Sequence, residues 1–548
     1  MIELSLAQVA AVVGGALHDC PDPDVLVTGP IEFDSRRVST GSLFVALPGE
    51  RVDGHDHAAA AVAAGAVGVL AARPVGVPAV VVAPTGARGS RVMALAGDTD
   101  GSAAAVLTAL GRLARANVDA LPGLCIIGVT GSSGKTSTKD LIAAVLTPLG
   151  PLVAPPGSFN NELGHPWTVL RASAATKHLV LELSARGMGH VAALCAVAPP
   201  RIGVVLNVGT AHLGEFGSRE AIARAKGELV EALPSAADGG VAVLNADDPM
   251  VAAMASRTTA RVVLVGTSAR ADVRAVEVEI DGEARARFRL LTAAGEIQVT
   301  LAVHGEHQVG NALAAAAVGL ERGATLPQVA ESLRLAAAVS ERRMDVRTRA
   351  DGVTVINDAY NANPDSVRAA IKALVSMSRG GGRGTPRRRS WAVLGEMGEL
   401  GPDAVREHDA IGRYAVRLDV SRLVVVGELG SPTEALHRGA YLEGSWGGET
   451  VIVPSVQAAL ALLRDEVEPG DVVLVKASKS VGLWRVAEGL GDGAPLGGVR
   501  GDGAPLGGVQ GVGAPLGGVL NDGAPLGGVQ GDGAPLGGVQ NDGAGDPS

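Results

Sequence analysis

At 548 residues the chain exceeds one ordinary domain and calls for roughly three or four. A hydrophobic fraction of 47% with aromatics at only 2% requires cores of alanine, valine and leucine, as in helices packed on parallel sheets. The formal net charge of −10 excludes a general affinity for nucleic acid or anionic membrane, so anionic ligands must be met by local groups. Cys20, Cys125 and Cys195 form no CxxC pair, which fits a reduced, cytoplasmic protein with buried thiols. The opening MIELSLAQ lacks the basic region of a signal peptide.

Residues 1–115 read as a small α/β unit centred on DSRRVSTGSLFVALPGERVDGHDH. Its charge-free run Ala58 to Ala72 is too short to span a membrane and reads as a helix turning into a buried strand. Over 116–338 the apolar runs CIIGVT, HLVLELS, IGVVLNV and VAVLNAD alternate with alanine-rich helical stretches, which predicts a parallel sheet covered by helices. A second alternating set over 339–490, with VTVIND, WAVLGE, RLVVVG and VVLVKAS, predicts a separate Rossmann-like domain. Within it, RGGGRGTPRRR reads as a solvated loop. From 491 to 548 the decamer GDGAPLGGV plus one residue recurs five times before NDGAGDPS. Such glycine- and proline-rich sequence buries too little apolar surface to offset its ordering entropy, and it reads as a disordered tail.

The chemistry is concentrated in GVTGSSGKTSTK, Gly128 to Lys139, which follows an apolar strand and opens a helix. Backbone N–H groups across Gly131, Ser132, Ser133, Gly134, Lys135, Thr136 and Ser137 form a phosphate cradle, Lys135 reaches the terminal phosphates and the Thr136 hydroxyl suits Mg²⁺. ATP is the expected guest, although Val129 stands where the usual spacing places the first glycine.

Joined to the other motifs, the loop gives the chain its resemblance to the Mur ligase family. DSRRVSTGSLFVALPG, TGSSGKTSTK, NNELGHP, LELSARGMGHV, NVGTAHLGEFGS, AKGELV, GEHQVGNALAAAA, INDAYNANPDSV, VLGEMGELG and GDVVLVKASKS occur in the family's order, covering residues 1 to about 490. The set is most similar to the type that joins D-alanyl-D-alanine to UDP-N-acetylmuramoyl-tripeptide through an acyl phosphate. The resemblance implies three domains: an N-terminal domain for the UDP substrate, a central P-loop ATPase sheet and a C-terminal Rossmann-like domain. It also implies a cytoplasmic monomer of peptidoglycan precursor synthesis, without nucleic-acid partner or membrane insertion. The ligase that adds the third amino acid usually carries a DNPR-type motif, absent here, and folylpolyglutamate synthases lack the first domain. A non-catalytic nucleotide sensor with a recruiting tail is the rival of a different class. The motifs leave the third residue of the tripeptide open.

The same resemblance assigns residues. Lys135, His212 and Lys226 are the expected catalytic groups. Thr136, Glu182, His212 and Lys226 are the expected magnesium ligands, for two ions, with Lys226 as a carbamate. A carbamate requires a neutral amine, against an ordinary lysine pKa of about 10.4. His307, Asn311, Arg343 and Asp358 are placed around the nucleotide, with Gln308 standing where asparagine is more usual. Ser35, Arg36, Ser42 and Phe44 are placed at the uridine pocket, and Asn160, Asn161 and His190 at the reacting end. Asn363, Pro364, Lys476 and Ser478 are placed around the dipeptide, with Ala477 and Lys479 departing from the family's pattern.

Overall fold

The computed structural model describes residues 1–48, 52–84, 98, 100–337, 339–380, 386–444 and 449–491. The decamer tail beyond 491 and the glycine-rich middle of RGGGRGTPRRR, 381–385, lie outside the described residues.

The N-terminal region carries a five-stranded sheet in the order Ala16–His18, Ala79–Val81, Gly68–Ala71, Leu43–Val45, Ile31–Glu32, parallel except at its first pair. The alanine-rich run does turn from helix Ala58–Ala63 into strand Gly68–Ala71, all four strand residues being buried. Helix Ser102–Asp119 runs through the boundary expected at 115. Its buried face includes Val106, Leu110 and Leu113, and it shares one apolar cluster with Leu43 and Leu70 on one side and Ile126, Leu179 and Leu181 on the other. A helix buried against two sheets cannot serve as a solvated linker.

The central sheet has nine strands, in the order Gly295–His304, Arg285–Thr292, Val273–Ile280, Arg261–Gly266, Val241–Asn245, Ile202–Val205, Cys125–Thr130, His178–Glu182, Leu152–Val153. From Leu152–Val153 through Val273–Ile280 every pairing is parallel, and the four apolar runs expected as strands lie within it. The expected parallel sheet is present, and the sequence reading did not anticipate the antiparallel meander that residues 273–304 add at its far edge. Its first strand, VRAVEVEI, exposes alternate residues over part of its length, as a sheet with one wet face does. Continuous apolar runs mark strands buried on both faces, and this segment has none.

The C-terminal sheet runs Asp345–Thr348, Thr354–Asn357, Val472–Lys476, Ser390–Leu394, Arg422–Val426, Thr450–Val453, antiparallel only at its first pair. All four predicted strands are present. The solvated reading of RGGGRGTPRRR is corrected at its end. Arg389 pairs with the buried Asp471 at 2.8 Å, and Arg388 donates to the Gly352 carbonyl and the Thr354 hydroxyl, both at 2.8 Å. Carbonyls at the strand edges and a buried carboxylate draw these guanidinium groups inward. Of the thiols, Cys125 and Cys195 are buried and Cys20 is half-buried, with all three free. Among the described residues no helix is long and apolar enough to cross a membrane.

Trp167 fastens the first domain to the central one. Its side chain is 2% exposed, its indole N–H donates to the Ile31 carbonyl at 2.8 Å, and its ring lies 5.8 Å from Phe33 and 4.8 Å from Phe159. In a chain so poor in aromatics, this cluster concentrates apolar contact at one junction. Trp167→Ala should destabilise by about 3–5 kcal/mol and Trp167→Phe by about 1 kcal/mol, read as falls in melting temperature. Equal melting of Trp167→Ala and the parent would show that the junction does not depend on this ring.

Candidate active site

Strand Cys125–Thr130 ends in the turn Gly131 to Gly134, and helix Lys135–Leu146 begins at once. Gly134 has φ +83°, and a Cβ there would lie 2.7 Å from Asn311 Oδ1, so the turn requires glycine for both conformation and space. The first-turn N–H groups of the helix have no acceptor within the helix and face the cleft as an anion site. Asn207, from the segment after strand Ile202–Val205, accepts the N–H of Ser132 and of Ser133 through Oδ1, both at 2.9 Å, and donates to the Ser133 carbonyl at 3.1 Å. Ser132 and Ser133, expected among the phosphate donors, therefore spend their N–H groups on Asn207. That leaves the N–H groups of Gly134, Lys135, Thr136 and Ser137 without an acceptor among the described residues, Thr138 being the first to bond within the helix, to the Gly134 carbonyl. The Lys135 ammonium rests on the Gly131 carbonyl at 2.8 Å, and burial lowers its pKa.

Glu182 ends strand His178–Glu182 and is 1% exposed. It has three neutral hydrogen-bond donors, Thr136 Oγ1 at 2.9 Å, Ser158 Oγ at 3.2 Å and Asn160 Nδ2 at 2.8 Å, and no salt bridge among the described residues, while its charge acts on the nearby Lys135. Thr136 and Glu182, expected together at a metal, are thus in direct contact. Lys226, in helix Arg219–Glu231, is 3% exposed and has no hydrogen-bond or ion-pair partner among the described residues. Burial, reinforced by the charge of Lys135, holds its pKa well below the ordinary lysine value.

His212 adopts a left-handed backbone at φ 61°. Its Nδ1 lies 2.6 Å from Glu399 Oε2 and 3.8 Å from Glu215 Oε2, a trio whose ligand atoms are close enough to hold a metal ion. The His212 ring keeps the Glu399 carboxyl below the usual glutamate range. Glu399 belongs to the C-terminal domain, and it also pairs with Arg186 at 3.2 Å and accepts the Gly214 N–H on its carbonyl at 3.2 Å.

The remaining expected residues separate into groups. His307 and Asn311 lie at the start of helix Gln308–Glu321, where Asn311 Nδ2 donates to Gln308 Oε1 at 2.8 Å beside the phosphate turn, and burial lowers the His307 pKa. Arg343 stacks 4.1 Å from the Tyr360 ring centre. Asp358 and Lys476, expected at different ligands, form one buried pair at 2.6 Å, and Lys476 also donates to the Asn361 carbonyl at 2.9 Å. Asn363 caps helix Pro364–Arg379 by accepting the Ser366 N–H at 2.9 Å, with Pro364 in its first turn. Ser478 Oγ accepts the Gly398 N–H at 2.7 Å, tying the last motif to VLGEMGELG.

In the first domain, Arg36 has a 64% exposed side chain that forks onto Asp34 at 2.8 Å, in the turn that begins at Ser35. Phe44 is instead core, packed among Ala58, Ala61 and Val69, and Ser42 is fully buried with its Oγ accepting the Ser39 N–H. Both belong to the structure beneath the expected pocket, because they lie on or beside an interior strand. Asn161 caps Gly164 at 2.9 Å, and His190 opens helix His190–Val197 with Nδ1 3.8 Å from Glu162. The sequence reading missed Asn207, Ser158, Arg186, Asp365 and Glu399. Asn207, Arg186, Asp365 and Glu399 lie inside quoted motifs, but what each does depends on a partner distant in sequence.

A glycine-rich turn at a helix N-terminus, a buried carboxylate beside it, a buried lysine and a third domain touching the adjoining loop are what an ATP-dependent ligase requires. The family model described as Mur ligase middle domain matches residues 129–319. The Mur ligase, glutamate ligase domain matches 342–479, and the Mur ligase family, catalytic domain matches 30–117. The chain belongs to the Mur ligase family. It is 60% identical over 518 residues to the UDP-N-acetylmuramoyl-tripeptide--D-alanyl-D-alanine ligase of Mycobacterium leprae, covering 90% of this chain and 99% of that one. The Escherichia coli ligase of the same name is 30% identical over 496 residues, covering 89% and 99%. Among solved structures, MurF from Acinetobacter baumannii superposes with TM-score 0.75 at 28% identity, covering 90% of this chain and 99% of that one. MurF from Thermotoga maritima in complex with ADP gives 0.67 at 27% identity, covering 85% and 98%.

A buried lysine without a partner costs stability, and an apolar side chain of similar length removes that cost. Lys226→Met should therefore melt no lower than the parent while ligation is lost. A melting temperature several degrees lower, measured calorimetrically, would mean that Lys226 has a structural partner.

Proposed function

We infer that the chain joins D-alanyl-D-alanine to UDP-N-acetylmuramoyl-tripeptide, consuming ATP and releasing ADP and phosphate. The observation that carries this reading is the 60% identity to the Mycobacterium leprae ligase, which runs through both outer domains as well as the nucleotide-binding one. Identity confined to the central domain would have left both other substrates open.

The chemistry follows in two displacements. A tripeptide carboxylate oxygen bonds to the γ-phosphorus as the bond to the ADP oxygen breaks. The dipeptide amine then bonds to the acyl carbon, loses a proton, and phosphate leaves with the former carboxylate oxygen. Lys135 and the N–H groups of Gly134 to Ser137 hold the transferring phosphoryl group, and holding three reactants in one cleft supplies orientation. The residues fit magnesium, since Glu182 is a buried carboxylate bonded only to neutral donors. Thr136, Glu182, His212 and a carbamate on Lys226 are the groups that would hold it, and the ion supplies charge neutralisation to the phosphates. The carbamate reading rests on a buried lysine with no partner among the described residues, whose burial lowers its pKa and so favours the neutral amine that adds CO₂ and releases a proton. His307, Asn311 and Arg343 serve the nucleotide in this reading. Asp358 acts through Lys476, and Asn363 and Ser478 shape the dipeptide side by holding their segments. The first-domain turn around Ser35 and Arg36 serves the uridine diphosphate.

Phosphate release should require the UDP-muramoyl-tripeptide, and mass spectrometry of the product should show added D-alanyl-D-alanine. A product carrying a diamino acid or glutamate instead would overturn the assignment. Lys135→Ala should keep the fold and lose ligation by about a thousandfold or more, the scale of losing a transition-state charge contact. Lys226→Ala should be nearly inactive and partly rescued by a small carboxylic acid, whereas Lys226→Arg should not recover because it keeps the positive charge. Normal turnover of Lys226→Ala would exclude the carbamate.

A further inference from the structure

Two carboxylates of the C-terminal domain, among the described residues, reach the loop 207–214 with their side chains. One is Glu399, paired with His212. The other is Asp365, the second residue of helix Pro364–Arg379, in a first turn already capped by Asn363 and Ser366. A carboxylate there suits the helix dipole, but this one also reaches out of its own domain. Its Oδ2 accepts the Thr210 N–H at 3.1 Å and lies 3.4 Å from the Thr210 hydroxyl. The approach is possible only because residue 209 is glycine, since a Cβ built there would collide with the same oxygen.

The neighbouring peptide unit faces the phosphate turn. Gly209 N–H donates to Ser132 Oγ at 2.9 Å, and Asn207, two residues earlier, holds the N–H groups of Ser132 and Ser133. His212 follows two residues after Thr210 on the same loop. One carboxylate of the C-terminal domain is thus joined to the phosphate turn through two consecutive backbone N–H groups. Four residues of a single loop face the turn, the metal candidates and the amine-side domain.

We propose that Asp365 is a positioning residue for the ligation reaction: docked on Thr210, it couples the seating of the C-terminal domain to the set of the loop that carries Asn207 and His212. The proposal rests on the ligase reading of the site. Its carboxylate contributes as a hydrogen-bond acceptor, so an amide in its place keeps one oxygen for the Thr210 N–H. Asp365 acts once the domains meet, so its loss falls on kcat and not on the binding of nucleotide alone.

The full chain is assayed with ATP, the UDP-tripeptide and D-alanyl-D-alanine, and ADP binding is measured separately by calorimetry. Asp365→Ala should lower kcat by roughly tenfold, the cost of one hydrogen bond, and leave ADP affinity within twofold. Asp365→Asn should recover most of that loss. Backbone exchange should rise in peptides covering 207–214 of the Ala variant in the presence of ADP, with its melting temperature within a few degrees of the parent. Gly209→Ala, which blocks the approach from the other side, should lower kcat like Asp365→Ala. An Ala variant with kcat within twofold of the parent overturns the proposal, as does an Asn variant as impaired as Ala. Should the parent itself fail to ligate these substrates, the functional reading falls instead.

Discussion

A carboxylate removed almost wholly from water, hydrogen-bonded by neutral groups and sensing the Lys135 charge nearby, sets the terms for the rest of this structure. Glu182 sits at the end of an interior strand, and Thr136, Ser158 and Asn160 offer it neutral hydrogen bonds only. Such bonds reduce the cost of burying an ion but do not cancel it. The site is therefore stabilised by whatever brings positive charge beside the phosphate turn. The unpartnered Lys226 is the complementary oddity: a group that would carry positive charge in water is buried where burial disfavours that charge. Each is unfavourable alone, and both are reasonable where a divalent ion and a triphosphate are to be held.

Asn207 imposes the second constraint. By taking the N–H groups of Ser132 and Ser133, it fixes the turn and leaves the first turn of helix Lys135–Leu146 to meet the phosphates. The turn is thus held by the protein's own groups, which lowers the cost of ordering it for binding. Loop 207–214, which carries Asn207, also carries His212 and receives Glu399 and Asp365 from the C-terminal domain. In the proposed reaction the phosphate side and the amine-side domain therefore meet at one segment of chain.

Much of this was legible in the sequence. The strands that hold the site are apolar runs ending at Thr130, Glu182 and Asn357, and the ends of parallel strands are where such sheets place their chemistry. What sequence reading could not supply is pairing across distance. Asp358 and Lys476 lie in separate motifs and were expected at separate ligands, yet they neutralise each other. Phe44 and Ser42 belong to a motif for the first domain, but a strand position decides that they serve its core. The antiparallel meander over 273–304 escaped notice because half-exposed strands lack the continuous apolar signal, and Arg388 and Arg389 looked solvated because buried partners of each lie some eighty residues on.

In the proposed reaction ATP activates the tripeptide carboxylate by direct phosphoryl transfer, in a cleft where the N–H groups of Gly134 to Ser137 hold the phosphoryl group until the amine arrives. That route leaves a mark on the atoms, because one oxygen of the carboxylate must depart with the phosphate. The most direct measurement supplies UDP-muramoyl-tripeptide labelled with ¹⁸O in its terminal carboxylate, together with ATP and D-alanyl-D-alanine, and analyses the released phosphate by mass spectrometry. One ¹⁸O atom per phosphate is the predicted result. Unlabelled phosphate formed in step with ligated product would contradict both the acyl-phosphate route and the part played in it by the phosphate turn.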